Sequence, residues 1–254
     1  MVLVSGYSYY KECGKFPPIP SDDSKLDELL QGGFHRELIY LLYGDKKITS
    51  NILHSTAVSM QKMFIERGVE GRIAYIDATN RFSPYKISTL SVSKRLEPTR
   101  VLNQILISRA FTWPQTVEIL EKKLLKLEDI KAVLISGISV LFENYEYRTF
   151  EDLTKAINGI KKMSQRKALI VMTAPLHESS YIRPKGGNVL SHFGNVLVLI
   201  NDENRFVEYR LIQHPYLPYG KVVKWKPRKQ KIDETKTLKN TTLDFWLSKT
   251  KSDA

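Results

Sequence analysis

The sequence of 254 residues holds one cysteine, Cys13. That excludes an internal disulfide and a zinc site built from cysteines. With no partner triad in view, Cys13 is not expected to be a nucleophile either. Such sparing use of cysteine fits a reducing cytoplasm, where the chain is expected to reside. No apolar run reaches the roughly 18 residues a membrane-spanning helix needs, so no membrane partner is expected. Met1 to Tyr10 place no basic region ahead of an apolar stretch, which argues against a secretory leader. The histidines His35, His54, His177, His192 and His214 are scattered without metal-ligand spacing, so no metal is expected. There is no internal repeat. Acidic residues are in short supply: 27 Asp and Glu face 39 Lys and Arg, a net charge of +12. An excess of that sign suits a polyanion partner, nucleic acid first, although a lysine-rich surface alone would give the same balance.

What is present is an alternation. Short apolar runs at Glu37–Tyr43, Arg72–Asp77, Ile105–Arg109, Ala132–Ser136 and Ala168–Thr173 read as strands. Helical spacing fills Ser50–Arg67, Pro84–Leu96, Trp113–Leu127 and Phe150–Met163 between them. Strands alternating with helices predict an α/β fold, a mostly parallel sheet flanked by helices. Asn195–Asn201 and Arg205–Gln213, split by a polar turn, predict an antiparallel C-terminal hairpin, to which Val222–Trp225 adds a further strand. Residues 1–24, with Pro17, Pro18, Pro20 and a polar cluster, read as an extended lead-in. Residues 25–225 form the core, and 226–254 read as a flexible basic tail.

A strand running into Gly44 and then a helix is where a phosphate-binding loop belongs. That loop needs a second glycine, a lysine and a serine or threonine, so that amides and charge surround the phosphates and a hydroxyl holds magnesium. Gly44-Asp45-Lys46-Lys47-Ile48-Thr49-Ser50-Asn51 supplies none of the three at the expected places. Yet the surroundings have a pattern. Ser24–Phe34 (SKLDELLQGGF), Tyr75–Phe82 (YIDATNRF), Asn103–Phe111 (NQILISRAF), Gly186–His192 (GGNVLSH) and His214–Pro218 (HPYLP) occur in order along residues 19–225. Together they resemble the ATPase core of the RecA/RadA recombinase family, and most of all the archaeal RadA paralogs. The resemblance implies a RecA-like core. It puts the phosphate-loop lysine on Ser50, the magnesium-binding hydroxyl on Asn51, the catalytic glutamate on Thr79, the metal-binding aspartate that ends the fourth strand on Ser136 and the sensing glutamine after the fifth strand on Pro175. Phosphoryl transfer stripped of those groups loses its main stabilising interactions. The candidate nucleotide site is therefore a degenerate phosphate loop, Gly44, Lys46, Lys47, Ser50 and Asn51, with no catalytic residue and no required cofactor. ATP binding without hydrolysis stays open. So does residual hydrolysis through Lys46 or Lys47. The family's N-terminal helix-hairpin-helix domain has no counterpart in the residues ahead of the core.

In the resembled family two loops at the mouth of the sheet face single-stranded DNA. The first maps near Glu143–Arg148 and carries Tyr145, Tyr147 and Arg148. The second lies between Pro175 and Gly187 and carries His177, Tyr181, Arg183 and Lys185. Cations that track phosphates and rings that stack on bases suit a single strand, although Glu143, Glu146 and Glu178 dilute the charge. A third basic stretch includes Lys224, Arg228 and Lys229 around Trp225. In the tail, Asn240, Leu243, Trp246 and Leu247 resemble a degenerate form of the peptide that docks on DNA sliding clamps. A tail helix packing on its own core is the other reading.

The sequence thus leads to a non-catalytic RadA-like paralog that binds single-stranded DNA, a RadA-type recombinase, or both, and modulates recombination and repair. A sliding-clamp adaptor with little DNA affinity is the alternative.

Overall fold

The computed structural model describes residues 17–36, 38–142 and 147–226, the side chains of 147–149 excepted. The chain divides into two units, 1–224 and 225–254. Of the second, only Trp225 and Lys226 are described.

The first unit is built on an eight-stranded sheet. In chain order its elements are α1 (Ser24–Leu29), β1 (Ile39–Gly44), α2 (Lys46–Glu66), β2 (Arg72–Asp77), α3 (Pro84–Ser93), α4 (Pro98–Asn103), β3 (Ile105–Arg109), α5 (Trp113–Glu118), β4 (Ile130–Ser136), α6 (Tyr147–Gln165), β5 (Leu169–Ala174), α7 (Gly187–Phe193), β6 (Val196–Asp202), β7 (Phe206–Gln213) and β8 (Gly220–Trp225). The strand order is β3-β2-β4-β5-β1-β6-β7-β8. The first six strands of that order pair in parallel and β6–β7 is antiparallel. This is the predicted sheet with its C-terminal hairpin.

The strands at the centre are covered on both faces, which is why β1, β4 and β5 read as unbroken apolar runs. On one face Tyr40, Leu42, Tyr75, Leu134 and Val171 pack with Leu53, Ala57, Met60 and Phe64 of α2. On the other, Leu41, Ile76, Val133, Ile170 and Leu199 pack with Leu120 and with Leu153, Ala156 and Ile160 of α6. The last residues of the lead-in belong to this body. Ile19 is fully buried and pairs with Phe34 across an isolated bridge. Gly33 lets the chains approach that closely, since a Cβ there would lie 2.2 Å from the Ile19 carbonyl oxygen.

Three differences from the sequence reading have physical causes. The helix after β1 begins at Lys46 rather than Ser50, because Asp45 caps it directly behind the strand. The helix expected over Trp113–Leu127 is α-helical only to Glu118, then continues as a π turn over Ile119–Lys123 and a 3-10 turn over Leu124–Lys126. The backbone of α6 crosses there at Gly159, where a Cβ would sit 2.0 Å from the Leu120 carbonyl oxygen. The segment before β3 is also helical (α4), with Glu97 as its cap and Pro98 in its first turn.

Candidate functional site

The carboxyl ends of β1, β2, β4 and β5 open on one end of the sheet, the end where open α/β sheets carry ligands. At β1 the turn into α2 is a single residue. Gly44 takes φ +115°, and a Cβ there would lie 2.1 Å from the Ile200 carbonyl oxygen. The Asp45 amide donates to that same carbonyl at 2.9 Å. The Asp45 carboxylate then accepts from the amides of Lys47 at 2.9 Å and Ile48 at 2.7 Å. Those are the open donors with which a helix N-terminus receives an anion. Lys46 and Lys47 stand exposed beside them.

Hydroxyls stand where the resemblance implies charge, at Ser50, Thr79 and Ser136. Ser50 and Ser136 are buried. The Thr79 and Ser136 hydroxyls share a hydrogen bond of 2.6 Å. Tyr75 is fully buried between them and Ser50, its hydroxyl out of hydrogen-bond geometry with either serine. Burial pushes its phenol far above the ordinary range. Ser50, Thr79 and Ser136 thus present neutral hydroxyls at this end of the sheet. The carboxylate beside them, Asp77, shapes the next turn and faces the Arg109 guanidinium at 4.0 Å. It accepts from the Thr79 amide and hydroxyl, and from the amides of Arg81 at 3.2 Å and Phe82 at 2.9 Å.

Two participants had no signal in the sequence. Lys86, from α3, reaches across to the Asn51 side-chain oxygen. Burial and the Lys47 charge push its ammonium below the usual lysine range. His54, one turn beyond Ser50, is buried against Tyr75 and Phe82. Its Nε2 accepts from the Ser83 amide at 3.0 Å, so in the neutral ring the proton is on Nδ1, which meets the Ser50 carbonyl at 2.6 Å. Only the fold brings these side chains to the site, because they come from helices whose polar faces look ordinary in sequence.

The 175–187 loop is a built structure. Leu176 bridges Pro184, the His177 amide donates to the Arg183 carbonyl at 2.8 Å, and the Lys185 amide donates to the Pro175 carbonyl at 2.9 Å. The Ser180 hydroxyl accepts from the amides of Ile182 and Arg183. This narrow turn drives Tyr181 outward to 92% exposure, with Ile182 beside it at 55%. Arg183 is exposed and Lys185 half-buried. Between the loop, the start of α7 and Phe150 lies a cleft of about 550 Å³, lined by His177, Ser180, Arg183 and Asn188 among others.

The other sequence-derived candidates are placed differently. Lys224 is tied to Asp23, 2.7 Å away, in a cluster that Tyr209 completes. Its charge is thus held by the fold. Tyr145, Arg228, Lys229, Asn240, Leu243, Trp246 and Leu247 lie outside the described residues, as do the side chains of Tyr147 and Arg148. Among the described residues no helix is long and apolar enough to cross a membrane, and no cluster of His, Cys, Asp and Glu could hold a metal ion.

The family model for Rad51 matches residues 18–221, most of the sheet-bearing unit. The chain belongs to the Rad51 family. Its relatives include two proteins described as DNA repair and recombination protein RadA. The one from Cenarchaeum symbiosum is 26% identical over 240 residues, 87% of this chain and 60% of the relative. The one from Metallosphaera sedula is 27% identical over 228 residues, covering 81% and 69%. DNA repair and recombination protein RadB of Pyrococcus horikoshii is 24% identical over 219 residues, covering 83% of this chain and 92% of the relative. The match thus reaches along nearly the whole RadB protein but only 60% of the first RadA.

Proposed function

We propose that this Rad51-family chain is a non-catalytic paralog acting in homologous recombination and DNA repair. It binds single-stranded DNA through the 175–187 loop, works beside a RadA-type recombinase, and needs no nucleotide to do so. The observation that carries the reading is the Asp45 carboxylate on the amides of Lys47 and Ile48. A negative side chain already fills the place a phosphate would take, and a second anion there meets like charge. The neutral Thr79–Ser136 pair agrees with it, since a hydroxyl pair offers neither a metal ligand of full charge nor a general base. The relatives named for repair and recombination supply the process. The exposed Tyr181 next to Arg183 and Lys185 supplies the ring and cations that single strands take.

The test is fluorescence anisotropy of a labelled single strand at two salt concentrations, with and without ATP and magnesium. Salt-sensitive binding that ignores nucleotide supports the reading. No binding at low salt, or binding that requires ATP, sinks it.

A further inference from the structure

We propose that the turn joining β7 to β8, residues 214–219, is a pH-gated latch: the His214 imidazole closes it when neutral and releases Tyr216 and Leu217 when protonated. The inference is independent of the strand-binding reading above. The latch is a single nitrogen. His214 Nδ1 accepts from the Tyr216 amide at 3.1 Å and from the Leu217 amide at 3.1 Å. An aspartate or asparagine side chain folds a chain back in the same way, by accepting an amide two residues on. Those side chains stay acceptors at neutral and mildly acid pH, and an imidazole nitrogen does not. Nδ1 accepts only while its lone pair is free, which puts the proton of the neutral ring on Nε2. Protonation makes Nδ1 a donor facing two N–H groups. Both bonds are lost together and a charge takes their place.

The two residues held by that nitrogen point to different surroundings. Leu217 packs on the core face that Val222 of β8 also covers. Tyr216 lies edge-on to the His214 ring, 5.8 Å between centroids, and is 73% exposed. Beyond the turn, β8 is fastened separately, by Lys221 on Glu208 and by Lys224 on Asp23. Against the upward push of burial, hydrogen bonds from those lysines hold both carboxyls below their ordinary values. Both ties therefore keep their charges where a histidine titrates, and the release is confined to the turn.

The surroundings of His214 favour its neutral form. Burial pushes the imidazole below its ordinary value, and the like charge of His35, on the segment between α1 and β1, pushes the same way. The His35 amide donates to the Tyr40 hydroxyl at 2.8 Å. Burial pushes that phenol far above the ordinary range, so Tyr40 of β1 stays neutral beside the turn. With a depressed folded pKa, the latch is closed above the unfolded value of about 6.5 and opens as pH falls through the folded value.

The experiment measures amide hydrogen exchange of the full chain by NMR at a series of pH values from neutral downwards, as protection relative to the unfolded rate at each pH. The His214 ring shifts are followed in the same samples. Protection at Tyr216 and Leu217 is expected to fall on the order of tenfold, the scale of the lost bonds, with the same midpoint as the ring titration. Amides of β5 are expected to keep their protection across that midpoint. In His214→Asn the side-chain oxygen takes over as an acceptor that does not titrate, so the turn is expected to keep its neutral-pH protection throughout. A ring that titrates without loss of protection overturns the inference, as does a ring that stays neutral until the whole chain unfolds. A loss shared by the β5 amides overturns it too, because His214 would then act on the whole fold rather than on the turn. A loss that persists in His214→Asn assigns the latch to another group. The two midpoints are read on the unaltered chain, so the test survives a variant that fails to fold.

Discussion

The carboxylate of Asp45 accepts the amide of Ile48 at 2.7 Å, so the first turn of α2 is closed by its own chain. A phosphate loop leaves those amides open and waits for the ligand. Here the strand passes through Gly44 and becomes a helix without a loop between. The cap contributes stability whether or not nucleotide is present.

Two expectations follow from that cap. Asp45→Ala should cost about 1 kcal/mol, or roughly 2–4 °C in melting temperature for a domain of this size. ATP with magnesium should leave the melting temperature of the unaltered chain unchanged. A ligand at a hundred times its Kd adds about 2.7 kcal/mol, so differential scanning fluorimetry would expose such binding at once. A rise with ATP would show that the amides are available after all.

The Thr79–Ser136 hydroxyl pair sits beside Asp77, whose carboxylate is already committed to the turn over residues 79–82. Putting a carboxylate back by Ser136→Asp buries a second negative charge within reach of the first. It should destabilise by about 3 kcal/mol, the scale of an uncompensated buried charge. It should not restore hydrolysis. Ser136→Ala removes one neutral bond and should cost about 1 kcal/mol. Urea denaturation measures both. A stable, hydrolysing Ser136→Asp protein would contradict the account of Thr79 and Ser136 as a neutral hydroxyl pair.

The sheet was legible because its strands announce themselves twice, by apolar runs and by the turn residues that bound them. Arg72–Asp77 and Ile105–Arg109 have the same bounds in sequence and structure. The start of α2 was misread because a phosphate loop was sought where Asp45, an ordinary capping residue, already marked the first turn. The π turn after α5 was invisible, since it coincides with a close crossing at Gly159, more than 35 residues away in sequence. At the candidate site, Ser50, Thr79 and Ser136 were found only through resemblance, which places residues by alignment. Lys86 and His54 were not found, because their roles depend on which neighbours the fold brings to them. Lys224 carried a plausible basic pattern, but a pattern of charge does not say which lysine an aspartate in the lead-in will hold.

Acid should lower the stability of this protein over two pH windows, both set by groups whose folded pKa is depressed. Burial pushes the His54 imidazole below its ordinary value, helped by the Lys86 charge and opposed by the Ser50 carbonyl and Asp77. Its folded pKa is depressed, so its contribution is fully present above the unfolded value of about 6.5 and is lost as pH falls through the folded pKa. For Asp23, burial pushes the carboxyl up, but the hydrogen bonds from Lys224 and Tyr209 and the Lys224 charge outweigh it, and the net shift is downward. Its contribution is present above the unfolded value of about 3.9 and disappears as pH falls through the lower folded pKa. Urea denaturation as a function of pH should therefore show one loss beginning below about pH 6.5 and another below about pH 4. His54→Gln should reduce the upper loss, the remainder belonging to His214, whose imidazole burial also pushes down. Asp23→Asn should reduce the lower loss, which is shared by Glu208, where against burial Lys221 and Arg210 hold the carboxyl down. An upper loss undiminished in His54→Gln would assign it to another group.

Arg183 and Lys185 lie on one loop with Tyr181, but a cation and a ring contribute to strand binding in different ways. Each cation that meets a phosphate releases counterions, so its loss lowers the slope of log K against log salt by about 0.7 for a single strand. The double variant Arg183→Ala, Lys185→Ala should therefore bind more weakly at low salt, with a slope smaller by about 1.4, and converge on the unaltered chain as salt rises. Tyr181→Ala should weaken binding by about 1–3 kcal/mol at every salt concentration, because stacking releases no ions. Anisotropy titrations over a salt series separate the two. Parallel slopes for the double variant would mean that the phosphates are met elsewhere on the chain, and would move the strand away from this loop.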